Sequence, residues 1–308
     1  MKLTLVFLVC LNSVFGDHLY EVPFGPVKLT NESLSVDSRV YGGNEAEEGQ
    51  FPYMVMAFMR LSPAEIFRCS ASRVAKDWVL LASHCIMNGM TEKDLILVAG
   101  KAKLADYVNA RLNMSFDTDI EDEKFNTEER RAKRVFRHPD YVEGQYHDDI
   151  ALIELKTPFT DKVPILKISR SKKERHENCT IHGWGLSEGD QFNGNLKYAV
   201  DEKAVTPSVG CSHKDAGNFY CLENNNKGIC KGDSGSPLVC EGMAWGVASH
   251  LVTDDPNIRC GRSLEEYYTE IYPYKSWLDL YLPNASSPLS LSGTVLFTIF
   301  MCWFVNTF

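Results

Sequence analysis

The chain has no basic stripe. Its 32 Lys and Arg stand against 41 Asp and Glu, for a formal net charge of −9, and a phosphate backbone is held by clustered cations, so nucleic acid is excluded as a partner class. It has no C-x-x-C pair either: ten cysteines are scattered singly, which removes the ligand spacing that zinc sites favour. Repeats and low-complexity tracts are missing, and a 44% hydrophobic composition excludes a disordered chain. The most acidic run, residues 117–123, lacks the glycine and terminal glutamate of a calcium loop and reads as a solvated surface loop. Helical periodicity is scarce as well. It is found at residues 272–282, where Tyr274, Trp277, Leu278 and Tyr281 recur at three-to-four spacing before Pro283 stops the run.

What is present is β-like. Short apolar runs at residues 78–82, 95–99, 150–155 and 243–249 alternate with polar, Gly or Pro punctuation. Together with 308 residues, this predicts an all-β barrel or sandwich, as one large domain or two lobes sharing a core, closed by one C-terminal helix.

Both ends carry processing signals. Lys2, the apolar run of residues 3–11, and Val14-Phe15-Gly16 follow the charged, apolar, small-residue order of a secretory signal peptide, placed at residues 1–16. Residues 284–308 begin with the small residues Asn284, Ala285 and Ser286, continue through a short spacer, and end in an apolar tail without a following Lys or Arg. That order fits a GPI-attachment signal; the alternative is a retained hydrophobic membrane anchor. Cys10 and Cys302 fall in these ends, which leaves eight cysteines. An even set in an exported chain implies a disulfide framework, although eight cysteines allow 105 pairings. Asn31, Asn113, Asn178 and Asn284 head N-x-S/T sequons, in keeping with a secreted glycoprotein.

The chemistry lies in three scattered segments. Ser234 sits in Gly232-Asp233-Ser234-Gly235-Ser236-Pro237, where glycines permit the backbone angles that aim amide N–H groups at one point. A serine hydroxyl is a weak nucleophile that needs a base, and the base needs an orienting group. His84 ends an apolar strand beside Cys85, and Asp149 opens another. In this order and with these flanks, together with Gly183-Trp184-Gly185 and the eight cysteines, residues 40–282 resemble the chymotrypsin and trypsin family of serine peptidases.

The resemblance implies two six-stranded antiparallel β-barrels with a C-terminal helix, spanning a peptidase domain at residues 40–283. It implies His84, Asp149 and Ser234 as the catalytic triad and the amides of Gly232 and Ser234 as the oxyanion hole. It pairs Cys69 with Cys85, Cys179 with Cys240, Cys211 with Cys221, and Cys230 with Cys260. Ser38-Arg39-Val40-Tyr41-Gly42-Gly43 resembles the family's activation site, so residues 17–39 would be a propeptide, cleavage after Arg39 would be made by a trypsin-like peptidase, and the new Val40 amine would pair with Asp233. Tyr41 departs from the smaller β-branched residue usual there.

The same matching places the primary specificity pocket at Gly228, Ile229, Ser249, His250, Leu251 and Glu266. With no carboxylate at Gly228 and with Leu251 narrowing the wall, the expectation is a chymotrypsin- or elastase-like preference for apolar residues, with Glu266 turned to solvent or neutralised by a neighbour such as Arg262. An inward Glu266 accepting basic residues is the runner-up. Polypeptide substrates and protein inhibitors are the expected partners, a lipid anchor would hold the protein on the extracellular face of the membrane, and neither cofactor nor metal is called for. The competing class is a non-catalytic peptidase homologue that uses the barrels as a binding module.

Overall fold

The computed structural model describes residues 20–23, 27–28, 43–62, 65–186, 194–211, 217–223, 227–253 and 265–282. Two short strands, β1 (Tyr20–Pro23) and β2 (Val27–Lys28), precede β3 (Asn44–Glu45). The N-terminal barrel is built from β4 (Met54–Ser62), β5 (Glu65–Ala75), β6 (Trp78–Leu81), β7 (Leu95–Ala99), β8 (Glu128–Arg137) and β9 (Ala151–Leu155). The C-terminal barrel uses β10 (Arg175–Gly183), β11 (Lys197–Val205), β12 (Phe219–Glu223), β13 (Pro237–Cys240), β14 (Met243–Thr253) and β15 (Glu265–Glu270). Each ring closes on itself, in the order β5-β4-β7-β8-β9-β6 with β6 back on β5, and β14-β13-β10-β11-β12-β15 with β15 back on β14. All strand pairings in both rings are antiparallel. The expected pair of six-stranded barrels is therefore present.

The near-continuous apolar runs have a direct cause. Successive strand residues point to opposite faces, and here both faces are covered. Val55, Ala57 and Met59 of β4 join Leu95, Leu97 and Ala99 of β7 in the barrel interior. Their alternates, Met54, Met56, Phe58, Ile96 and Val98, join a second core with Leu104, Tyr107, Val108, Trp184 and Leu196. A one-residue register slip would exchange the two sets and misfit both cores.

That second core rests on a helix that periodicity did not reveal, α1 (Ala105–Leu112). Its inward face is Leu104, Tyr107, Val108 and Arg111. The i, i+3, i+4, i+7 pattern is present, but a fully buried arginine, paired with Glu129 at 3.2 Å, occupies the last position and hides it. The acidic run is also more structured than expected. Phe116 and Ile120 are buried within and beside it, Asp122 begins α2 (Asp122–Phe125), and Asp117, Asp119 and Asp122 pair with Arg60, Arg131 and Arg130 at 3.0, 2.8 and 2.9 Å.

The closing helix is shorter than predicted: a 3-10 turn at Tyr272–Tyr274 runs into α3 (Lys275–Leu278). Its Tyr274, Trp277 and Leu278, with Leu282 beyond, pack into the N-terminal barrel's core, so the end of the second barrel clamps the first. Disulfides join Cys69 to Cys85, Cys179 to Cys240, and Cys211 to Cys221, as the resemblance implied. Cys230 is disulfide-bonded, and its expected partner Cys260 lies outside the described residues.

Candidate active site

His84 sits in a 3-10 turn at Ser83–Cys85 directly after β6. The turn is held from both sides, by the Cys69–Cys85 disulfide and by the Ser83 hydroxyl donating to the Ile150 carbonyl at 2.7 Å. Asp149 lies just ahead of β9, and β6 pairs with β9, so the sheet carries both residues to the same end of the barrel. Asp149 is fully buried and accepts three hydrogen bonds: from the His84 amide to Oδ1 at 2.8 Å, at Oδ2 from His84 Nδ1 at 2.6 Å, and from the Ser249 hydroxyl at 2.7 Å. Burial pushes its carboxyl up, but the His84 ring and these hydrogen bonds outweigh burial and hold it below the ordinary carboxylate range. Nδ1 is thereby committed to the carboxylate, which leaves Nε2 as the working nitrogen.

The Ser234 loop is held against the same Cys69–Cys85 disulfide that braces the His84 turn. The Ser70 amide donates to the Ser234 carbonyl at 3.0 Å, and that same carbonyl lies 3.8 Å from Cys85 Sγ. Both Ser234 Oγ and His84 Nε2 are buried and make no hydrogen bond among the described residues. Gly232, at φ +94°, takes the left-handed backbone that glycine adopts without strain. The amides of Asp233, Gly235 and Ser236 donate to the carbonyls of Cys230, Ala248 and Asp233, whereas those of Gly232 and Ser234 reach no backbone carbonyl among the described residues. The amides at these two positions are the ones available to an anion.

Asp233 points away from the nucleophile into the body of the protein. It accepts from the Gly185 amide at 2.5 Å and the Cys230 amide at 2.8 Å. A methyl group on Gly183 or Gly185 would fall within 2.1 or 2.3 Å of its carboxylate oxygens, which is why Gly183-Trp184-Gly185 has no side chain on either side of the tryptophan. Burial pushes the Asp233 carboxyl up to about 6, against the pull of those amides and of the Arg68 and Lys197 charges. Val40, its expected partner, lies outside the described residues.

The pocket residues converge. β14 carries Ser249, His250 and Leu251 along one wall, with Leu251 opposite Glu266 and His250 opposite Tyr267 of β15. Glu266 is not turned to solvent: it is 2% exposed, and its Oε2 accepts from the Ile229 amide at 3.1 Å. Its Oε1 stands 1.8 Å from where a methyl group on Gly228 would be. The absence of a side chain at position 228 is thus filled from the opposite wall by a carboxylate, and the expectation of a solvent-facing Glu266 is overturned; Arg262, the neighbour expected to neutralise it, lies outside the described residues. Leu251 is buried as well, at 6% exposure.

Three contributors escaped the sequence reading. Arg68, fully buried, donates to the Trp184 carbonyl and flanks Gly232 at 2.7 Å from the site of its missing Cβ; burial lowers its guanidinium to about 9, with the Asp233 charge opposing. Its only signal is a charged residue directly before a half-cystine inside a strand. Ser70 ties the nucleophile loop to the Gly183-Trp184-Gly185 segment, donating to the Gly232 carbonyl at 3.1 Å and accepting from the Trp184 amide at 3.2 Å. Tyr146 stacks on His250 at 4.3 Å between ring centroids, with Tyr267 on the other face at 4.8 Å; nothing in the local sequence marks it. As to metals, the grouping of donors at Cys69, Cys85 and His84 has both sulfurs consumed in one disulfide, so it offers no thiolate.

Comparison with known proteins agrees with this geometry. A family model described as Trypsin matches residues 40–278. Among curated relatives, the chain is 26% identical over 251 residues to serine protease SP24D of Anopheles gambiae, covering 78% of this chain and 80% of that protein. It is 25% identical over 262 residues to trypsin-4 of Rattus norvegicus, with 80% and 92% covered, and 28% identical over 256 residues to mast cell protease 3 of Ovis aries, with 78% and 88% covered. With two closed barrels and a family match over most of its length, the chain belongs to the trypsin family of serine proteases.

Proposed function

We propose that the chain is a secreted or cell-surface serine endopeptidase, made as a zymogen and activated by cleavage after Arg39. The observation that supports this best is the arrangement around Asp149. Three donors lock it against His84 and Ser249, while His84 Nε2 and Ser234 Oγ keep their hydrogen-bonding capacity. Ser234 Oγ attacks the peptide carbonyl and its proton passes to His84 Nε2. Asp149 keeps the ring oriented and stabilises the imidazolium. The Gly232 and Ser234 amides hold the oxyanion, His84 then gives the proton to the leaving amine, and water releases the acyl group by the same steps in reverse. Val40, once freed, places its ammonium beside Asp233, whose ionised form is costly where it is.

The pocket supports a basic residue on the acyl side of the cut bond. Leu251 narrows the mouth, which selects on the width of a side chain and not on its charge. The Glu266 carboxylate is buried beside Gly228 and puts negative charge on the pocket wall, which favours a cationic Lys or Arg over apolar side chains. Cleavage of a peptide library by the activated protein tests this: enrichment of Lys and Arg is expected, and enrichment of Val, Leu or Phe restores the apolar reading.

Residues 1–16 serve as the signal and residues 284–308 as the GPI-attachment signal; both lie outside the described residues. Among the described residues no helix is long and apolar enough to cross a membrane. Release of the intact protein from membranes by a phosphatidylinositol-specific phospholipase is the expected result, and retention counts against the lipid anchor.

A further inference from the structure

Neither β1 nor β2 belongs to a barrel ring, yet each is hydrogen-bonded to one. β1 runs antiparallel to the far half of β14, with Tyr20 opposite Thr253 and Pro23 opposite His250. β2 runs antiparallel to β5, with Val27 opposite Arg68 and Lys28 opposite Phe67. The positions they take are informative. β14 pairs with β13 as far as Val247 and exchanges backbone hydrogen bonds with the nucleophile loop at Ala248, through Gly235 and Ser236. β15 accompanies β14 on its other side through Val252. The edge of β14 that carries β13 and then the Ser234 loop therefore carries β1 next, two residues on.

The same order holds on β5. One edge pairs with β4. The other pairs with β6 from Ala75 to Ser72, receives the Ser234 carbonyl at the Ser70 amide, and takes β2 at Arg68 and Phe67. β1 thus lies on one side of Ser234 and β2 on the other, each about two residues, or roughly 7 Å of strand, away along its host. Both run in one sense: β1 advances toward the Ser249 end of β14 and β2 departs from the Ser70 end of β5. Only three residues separate them in sequence.

We infer that β1 and β2 (Tyr20–Pro23 and Val27–Lys28) are internal occupants of the peptide-binding cleft. β1 adds a strand to the pocket wall at His250–Thr253, β2 adds one to β5 beside the oxyanion loop, and together they hold the track that a polypeptide substrate's backbone would use. The mode is strand addition, in which main-chain hydrogen bonds supply the affinity. It gives latency a second basis, separate from the Val40 ammonium that only cleavage after Arg39 would create. Residues 17–39 contain no cysteine, so no disulfide can tether them once the bond after Arg39 is cut. Before the cut the strand competes at an effective concentration in the mM range; afterwards it is a free peptide that dilution removes.

The test uses the full chain with Ser234→Ala, which prevents self-digestion, compared with the same chain carrying Glu21→Pro and Val22→Pro. In an antiparallel pair alternate residues present their N–H to the partner, so the double substitution removes the inward donor whichever residue supplies it. Hydrogen–deuterium exchange is expected to rise at least tenfold in the β14 segment 250–253 and at Phe67–Arg68, with β7 and β9 unchanged. Unchanged exchange in both segments overturns the inference, and this readout needs no catalytic activity. The second arm takes catalytically intact chains cut after Arg39. Specific activity is expected to climb on dilution for the unsubstituted chain and to be independent of dilution for the doubly substituted one; dilution-independent activity in both overturns the inference. Absence of activity in every sample, with the exchange difference present, would count against the peptidase reading alone, on which only this second arm rests.

Discussion

Glu266→Gln is the most informative single substitution in the pocket. It keeps the shape of the side chain and an oxygen that can accept from the Ile229 amide, which now lies 3.1 Å from Oε2, and it removes only the charge. At 2% exposure solvent screens that charge little. Removing one member of a buried ion pair costs about 3–5 kcal/mol, and at about 1.4 kcal/mol per decade this corresponds to a loss of roughly two to three and a half decades in kcat/KM for substrates with Lys or Arg at the position filling the pocket. Otherwise identical peptides with Leu or Phe should change less than about tenfold, and upward, because no charge then has to be desolvated by an apolar side chain. Gly228→Ala should move specificity the same way, since its methyl would lie 1.8 Å from Oε1 and would drive the carboxylate from the pocket base. The assay is kcat/KM on matched peptide pairs with the activated protein. A loss below tenfold on Lys and Arg in Glu266→Gln, or an activated protein that prefers Leu from the outset, refutes the reasoning.

Four further outcomes follow. Asp149→Asn should lower kcat about 10⁴-fold while leaving KM nearly unchanged, because an amide NH2 facing Nδ1 holds the ring in the tautomer whose Nε2 is already protonated and cannot accept the Ser234 proton. Because the folded Asp149 carboxyl lies below its unfolded value, it contributes stability above the ordinary carboxylate range that is lost as pH falls through the folded value; acid melting curves should therefore fall more steeply for the unsubstituted chain than for Asp149→Asn. The Asp233 carboxyl, raised to about 6, has the opposite sign. Once ionised above that pH it costs the uncut chain stability, so cutting after Arg39 should raise Tm more at pH 8 than at pH 5, and an equal gain at both would remove Asp233 as the ammonium's partner. Replacing both Cys179 and Cys240 opens a link across 61 residues of sequence and should cost about 4 kcal/mol in urea unfolding.

Much of the fold was legible because both faces of the barrel strands are apolar. The runs at residues 95–99 and 150–155 correspond to β7 and β9 almost residue for residue. The helix α1 was not legible, because a buried Arg111 breaks its apolar stripe and its partner Glu129 lies 18 residues away. Asp149, His84 and Ser234 could be read from short motifs, since each motif encodes a local need: a braced turn, a strand entrance, a glycine-flanked loop. Glu266 and Arg68 could be named or overlooked but not oriented. Where a long side chain points is decided by residues on other strands, such as Gly228 and Gly232, whose missing side chains make the space. The pairing of residues 20–23 with β14 is likewise a long-range match that no local pattern announces.

The most direct measurement is labelling of the chain by a fluorophosphonate after cleavage behind Arg39, followed by mass analysis of the modified peptide. Covalent phosphonylation at Ser234, abolished in His84→Ala and weak in the uncut chain, is the expected result, because only a serine activated by a correctly placed base reacts at this rate. A cut, folded protein whose Ser234 stays unmodified would contradict the assignment of a working triad and leave the barrels as a binding module.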